Sequence, residues 1–411
     1  MQYRFPQNFY WGAATSAHQV EGGLTNDWSE WERANASRLA AAAKEYWQSW
    51  QQEKFPEMFG EANYISGQAG DQFNRYEADF DLAKQLGHNA LRFSIDWSRV
   101  EPREGEFDER VLDHYLQVIE ALRRRNIEPL VTFYHWPLPL WLSQKGGWEN
   151  RRVVEYFVRY GAKLGQHFKN KIKYIITINE PLVFTGHGYI TGEWPPGKKD
   201  YLAYYLVVGK LIQAHQQVYG VLKEIDNNFL IGVAQQNAWF EAAGNKLVNR
   251  MLKSVADWWN NQMFLEKINN YQDFIGLNHY FHHLIDGGWG KNKNERVSDL
   301  GWELVPESLY HCLLELKRFN KPVVITEHGL ADRDDQLRPW FITESLKWAH
   351  RAMTEGVDLR GYLHWSLIDN FEWSSGFWPR FGLVAVDFET QKRTPRPSAY
   401  VLKKIIVDNG M

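Results

Sequence analysis

Apolar positions along this chain follow two alternating rhythms. Short β-branched or aromatic runs occur at Tyr10 to Ala17, Ala90 to Trp97, Pro129 to His135, Tyr174 to Asn179, Phe229 to Gln235, Phe274 to Tyr280, Pro322 to Thr326 and Gly361 to Leu367, separated by longer stretches of helical period. Runs of that length predict buried strands, and their alternation with helices predicts a parallel sheet. Between the second and third runs, Val111, Leu112, Tyr115, Leu116, Ile119 and Leu122 recur at three- and four-residue steps, so one stripe of a helix can lie on the sheet. Pro306-Glu307 and Pro397-Ser398 mark helix starts ahead of further apolar runs. Eight strands with intervening helices predict an α/β fold, the (β/α)8 or TIM barrel. No internal repeat or low-complexity linker interrupts the chain, which therefore reads as one domain over residues 1–411.

One segment departs from the alternation. Asn35 to Gly70 carries the run Ala40 to Ala43 and the aromatics Tyr46, Trp47 and Trp50 between the first strand and the helix expected after it. It predicts a helical excursion on the active-site face, with an ordinary surface loop as the alternative.

Composition narrows the function. With 44% apolar and 24% charged residues and a net charge of -3, the chain can bury a large core and has no charge excess for nucleic acid or an anionic membrane. The absence of a signal-like N-terminus or a long apolar run predicts a soluble, cytoplasmic protein. The lone Cys312, set among Leu309, Leu313 and Leu316, excludes an internal disulfide and reads as core packing. Twenty tryptophans fit either a large core or sugar-binding surfaces, since an indole offers an apolar face and an N–H donor.

In a barrel the reactive groups stand at the C-terminal ends of strands. Tyr174 to Asn179 ends in Glu180-Pro181, and Val323 to Thr326 ends in Glu327-His328-Gly329. Two carboxylates at two strand mouths match glycoside hydrolysis, in which one protonates the leaving oxygen while the other attacks the anomeric carbon. Taken alone, each could also be a metal ligand, a substrate anchor or an ion-pair partner. Arg92, flanked by apolar Leu91 and Phe93, points inward and requires an anionic partner, for which either glutamate qualifies. Gln19, His135-Trp136, Asn278 and Glu372-Trp373 add hydrogen-bonding groups and indole surfaces suited to a polyhydroxylated ring.

These motifs together resemble the glycoside hydrolase family 1 β-glycosidases over nearly the whole chain. The resemblance rests on Trp11-Gly12-Ala13-Ala14-Thr15-Ser16 with Gln19 and Glu21-Gly22, on Asn179-Glu180-Pro181, on Ile325-Thr326-Glu327 with Gly329, and on Trp365 to Trp373 followed by Arg380-Phe381-Gly382-Leu383. It implies Glu180 as acid/base and Glu327 as nucleophile of a retaining enzyme, and Gln19, His135, Trp136, Asn179, Glu372 and Trp373 as sugar ligands above a Trp365 platform. Arg92, Tyr280 and Asn278 are implied as the support around the nucleophile, with Asn278 reaching the acid/base side. The stretches His135 to Pro139 and Trp373 to Phe377 look closest to archaeal-type members, which implies breadth among glucosides, galactosides and fucosides. Small β-glycosides or short oligosaccharides are the implied partners, with no cofactor and no metal, and homo-oligomerisation stays open.

Three positions depart from the common family pattern: His328 after the nucleophile, His279 before Tyr280, and Pro137. His328 can either charge near neutral pH or bond a loop carbonyl, the latter being the expectation. His279, His282 and His283 invite a metal reading but lack an accompanying donor motif, so loop or subsite histidines are expected. Trp258-Trp259 is expected to pack in the core, whereas Trp239, Trp302 and Trp378 fit either subsites or packing. Two other functions compete: a sugar-binding barrel without catalysis, and a metal-dependent barrel hydrolase. Glu372, with no Lys or Arg before Arg380, disfavours a 6-phosphoglycoside.

Overall fold

The computed structural model describes residues 3–411. Eight parallel strands close into a barrel: β1 (Tyr10–Ala14), β2 (Ala90–Ser94), β3 (Glu128–Tyr134), β4 (Tyr174–Asn179), β5 (Leu230–Gln236), β6 (Ile275–His279), β7 (Val323–His328) and β8 (Leu359–Trp365). Each strand pairs with its sequence neighbours, and β1 closes the ring by pairing with both β8 and β2. All eight predicted strands are present, the fourth with its predicted bounds and the others with shifted ends. The first stops at Ala14 because Ser16 begins the short helix Ala17–Val20, although the Thr15 amide still bonds the Arg92 carbonyl at 2.8 Å. The seventh runs two residues past its predicted end, so Glu327 itself lies on the strand, directly across from Asn278.

Two apolar layers hold this frame. Inside the barrel, Ala90, Leu130, Ile176, Ala234, Phe274, Val324 and Leu363 fill the cylinder beneath the mouth. Outside it, the helices press their apolar stripes onto the strands. On Glu109–Arg124 the buried positions Leu112, Tyr115, Val118, Ile119 and Leu122 follow the predicted spacing, and Asp108 caps the first turn. The predicted starts at Pro306 and Pro397 precede helices Ser308–Leu316 and Pro397–Asp408.

The excursion after β1 begins earlier than the sequence suggested. Its main helix, Asp27–Tyr46, opens on a reciprocal cap: the Asn26 side chain accepts from the Ser29 amide at 2.9 Å, and the Ser29 hydroxyl accepts from the Asn26 amide at 3.0 Å. The helix Ser49–Lys54 and two 3-10 turns, Pro56–Phe59 and Glu61–Tyr64, complete it. Among the described residues, no helix is long and apolar enough to cross a membrane.

Candidate active site

The strand ends converge on a cavity of about 130 Å³ at the C-terminal mouth. Gln19, His135, Trp136, Glu180, Tyr280, Glu327, Trp365, Glu372 and Trp373 all line it. Arg92, Asn179 and Asn278 lie fully buried beneath and bond to that lining. A larger hollow of about 920 Å³ opens at the opposite end, among Tyr10, Glu128, Tyr174 and Phe274. Size alone would favour it, but the strand-end side chains that can do chemistry all face the mouth.

Local backbone geometry aims the key groups. Glu180 sits in the left-handed region (φ 43°) between the end of β4 and Pro181, which opens the helix Pro181–Thr185. Trp136 (φ 86°) and Trp373 (φ 48°) share that unfavourable conformation, and such outliers concentrate where a side chain must be held in one direction. Gly329 allows β7 and β8 to meet at the mouth, since a Cβ there would lie 2.0 Å from the Trp365 carbonyl oxygen.

The two glutamates have different surroundings. Glu327 is bound by the Arg92 guanidinium through Nη1 and accepts from the Tyr280 hydroxyl at 2.8 Å. Among the described residues Glu180 accepts from the neutral Asn278 amide, at 2.8 Å. Burial pushes the Glu180 carboxyl well above the usual carboxylate range, and the Glu327 charge pushes it further. Burial raises the Glu327 carboxyl as well, but less far, because Arg92 and the Tyr280 hydroxyl offset part of that rise. Of the two, Glu180 is therefore the one that keeps its proton, and Glu327 the one that ionises.

A buried network joins them. Arg92 Nη2 donates to Asn179 Oδ1 at 2.6 Å, Asn278 Nδ2 donates to the same oxygen at 3.0 Å, and the Thr326 hydroxyl donates to Asn278 Oδ1 at 2.7 Å. With its oxygen so occupied, Asn179 turns its amide nitrogen to His135 Nε2 at 3.1 Å. That nitrogen must accept, so the His135 proton lies on Nδ1, which is buried and has no partner among the described residues. Burial and the Arg92 charge keep the ring from protonating. An orphaned donor on a residue that lines the cavity is what a sugar hydroxyl can satisfy.

Other ligands differ in detail from expectation. The Trp136 indole N–H is used on the Asn179 carbonyl at 3.0 Å, so this residue offers its ring face to the cavity and not a donor. Gln19 donates to the Phe371 carbonyl at 2.8 Å and sits 3.5 Å from Glu372 Oε2. Glu372 is pushed up to about 8, chiefly by burial and then by the Glu327 charge, which favours its protonated form at neutral pH.

Several expectations need correction. His328 is kept neutral by burial, stacks on Phe341 at 4.8 Å, and meets the Tyr362 hydroxyl at 3.1 Å instead of a loop carbonyl. Trp258 is 45% exposed, not core, because the turn that carries it faces outward while Trp259 packs on Tyr204 and Tyr205. Trp302 lines the cavity, Trp378 is fully buried, and Trp239 stacks between His282 and His311 outside it. His279, His282 and His283 diverge: His279 meets Ser308 at 2.6 Å, His282 lies between Glu303 and Glu241, and His283 stacks on Phe240. Val183, His187, Trp194, Gln236, Phe281 and Phe381 also line the cavity. Val183 and His187 sit on the helical turns that follow β4 and Gln236 ends β5, while Trp194, Phe281 and Phe381 lie outside regular elements; among the described residues Gln236 Nε2 is buried without a partner.

The sequence profile of glycosyl hydrolase family 1 matches residues 1–270 and 261–411. This chain belongs to that family. It is similar to β-glucosidase A of Thermotoga maritima, 32% identical with 99% of each chain covered, and to a β-galactosidase of Saccharolobus solfataricus, 29% identical over 100% of this chain and 96% of that one. The structure of a T. maritima β-glucosidase in complex with glucoimidazole superposes with a TM-score of 0.89 at 30% identity, covering 100% of both chains. The protein is an O-glycoside hydrolase on a (β/α)8 barrel.

Proposed function

We propose that this family 1 enzyme is a retaining, exo-acting β-glycosidase in which Glu327 is the nucleophile and Glu180 the acid/base. The observation that carries the reading is the unequal setting of two carboxyls in one cavity, Glu327 held by Arg92 and Tyr280, Glu180 by the neutral Asn278 amide. A Glu327 oxygen attacks the anomeric carbon while the bond to the leaving oxygen breaks and Glu180 gives that oxygen its proton. In the second half, Glu180 takes a proton from water, water oxygen bonds the anomeric carbon, and the Glu327 carboxylate leaves. Two inversions restore the starting configuration.

The His135 donor, the Gln19–Glu372 pair and the rings of Trp136, Trp365 and Trp373 suit one terminal non-reducing sugar, with Asn179 acting from beneath by orienting His135. The glucosidase and galactosidase names among the relatives favour β-D-glucosides and β-D-galactosides, with β-D-fucosides a third class. Residues 1–411 act as one catalytic domain, and the lone buried Cys312 suits a reducing cytoplasm. The test is proton NMR of the first anomer released from 4-nitrophenyl β-D-glucoside. The β-anomer supports the proposal, and the α-anomer, the product of inversion, overturns it.

A further inference from the structure

The excursion after β1 reaches the active site from behind. Its helix Asp27–Tyr46 carries Glu32, buried to 1%, whose Oε1 lies 2.5 Å from His18 Nε2. The other oxygen of Glu32 accepts from the Ser66 amide at 2.9 Å and the Ser66 hydroxyl at 2.8 Å, at the far end of the excursion. The His18 tautomer is set by its neighbours. Asn26 uses its oxygen to cap the helix, so its amide nitrogen faces His18 Nδ1 at 3.1 Å and the ring proton belongs on Nε2, directed at Glu32. The ring so fixed stacks on Trp373, centroids 5.6 Å apart and planes 5° from parallel.

A second contact grips the same loop from its other end. Asn63 Oδ1 accepts from the Phe377 and Trp378 amides, each at 3.0 Å, and its Nδ2 donates to the Ser375 carbonyl at 3.0 Å. The Asn63 carbonyl accepts from the Phe377 amide at 3.1 Å. Gly376, at φ +77°, is needed for this approach, because a Cβ there would lie 2.1 Å from the Asn63 carbonyl oxygen.

We infer that the excursion is a positioning element for sugar specificity, in which the His18–Glu32 pair and Asn63 together fix the Glu372–Trp378 loop against the bound sugar. This rests on the proposed reading of Glu372 and Trp373 as sugar ligands. His18, Glu32 and Asn63 are not among the residues that line the cavity; they bear on it through Trp373 and the loop backbone. Both contacts bear on a loop in which Trp373 holds an unfavourable backbone conformation, of the kind that persists where the surroundings hold it.

The test compares kcat/KM for 4-nitrophenyl β-D-glucoside and its 4-deoxy analogue, which lacks the hydroxyl that Glu372 would hold, in the full-length wild type, Glu372→Gln, Asn63→Ala and His18→Phe. Misplacement of a binding group by an ångström costs up to about 100-fold, so the expected loss on the glucoside is about tenfold for Asn63→Ala and His18→Phe, with less than about threefold on the 4-deoxy sugar. A merely structural role would lower both substrates together and leave the ratio unchanged. If Glu372→Gln shifts the ratio and Asn63→Ala does not, the positioning role is overturned. If Glu372→Gln itself leaves the ratio unchanged, the reading of Glu372 as a sugar ligand fails instead. Should His18→Phe not accumulate as folded protein, Asn63→Ala decides the outcome.

Discussion

Replacing Glu372 by Gln should stabilise the protein at alkaline pH while weakening sugar recognition. A carboxyl raised from 4.5 to about 8 binds its proton more tightly in the folded chain than in the unfolded one. Its neutral form therefore leaves folding unpenalised below about pH 4.5, and stability is lost progressively as pH climbs towards 8. At about 1.4 kcal/mol for each tenfold difference in proton affinity, that displacement sets a ceiling of roughly 5 kcal/mol. Glu372 keeps part of its surface open to the cavity, where water screens the charge, so about 2 kcal/mol is expected. Glutamine keeps the shape and cannot ionise. Urea unfolding of wild type and variant at about pH 5 and about pH 8.5 gives the difference directly, and the variant's relative stability should grow by about 2 kcal/mol between them. Glu21 and Asp27, both raised to about 7 by burial, titrate in either protein and cancel. A gap between the two proteins that does not change with pH would refute the argument, because it would mean that Glu372 is charged at no cost. A group whose charge destabilises the fold is expected where binding has been favoured over stability.

Three further outcomes follow from the same geometry. Arg92→Met strands the buried Glu327 carboxylate and unties Asn179, and should cost about 3–5 kcal/mol of stability in a denaturant melt, with near-complete loss of turnover. Glu180→Gln should depress kcat/KM far more for a poor alkyl leaving group than for 2,4-dinitrophenyl glucoside, which needs no proton; equal losses would contradict the acid role. Because burial raises the Glu180 carboxyl, wild-type activity on poor leaving groups should fall as pH rises through that raised value, and the pH–rate profile of Glu180→Gln should lack this alkaline limb.

Much of the barrel was legible because its strands are short apolar runs and its helices carry one apolar stripe. Glu180 and Glu327 were readable for the same reason: each closes a run whose direction fixes the mouth of the barrel. What the sequence hid lies in the loops. Asn63 meets the amides of Phe377 and Trp378 across more than three hundred residues of chain, and no periodic pattern records such a contact. His18 looks like one more buried histidine until Glu32 and Asn26 are placed around it. Trp136 and Trp258 show the converse limit. A tryptophan in the sequence does not reveal whether its N–H is already used on a carbonyl, as in Trp136, or whether its ring faces solvent, as in Trp258.

The most direct test of the double displacement is to trap its intermediate. A 2-deoxy-2-fluoro-β-D-glucoside with an activated leaving group slows the second half-reaction more than the first, so the glycosyl-enzyme accumulates and can be digested and located by mass spectrometry. The added sugar mass should appear on the peptide that contains Ile325-Thr326-Glu327-His328, on Glu327. A label on Glu180 or Glu372, or rapid turnover with no covalent adduct, would contradict the assignment.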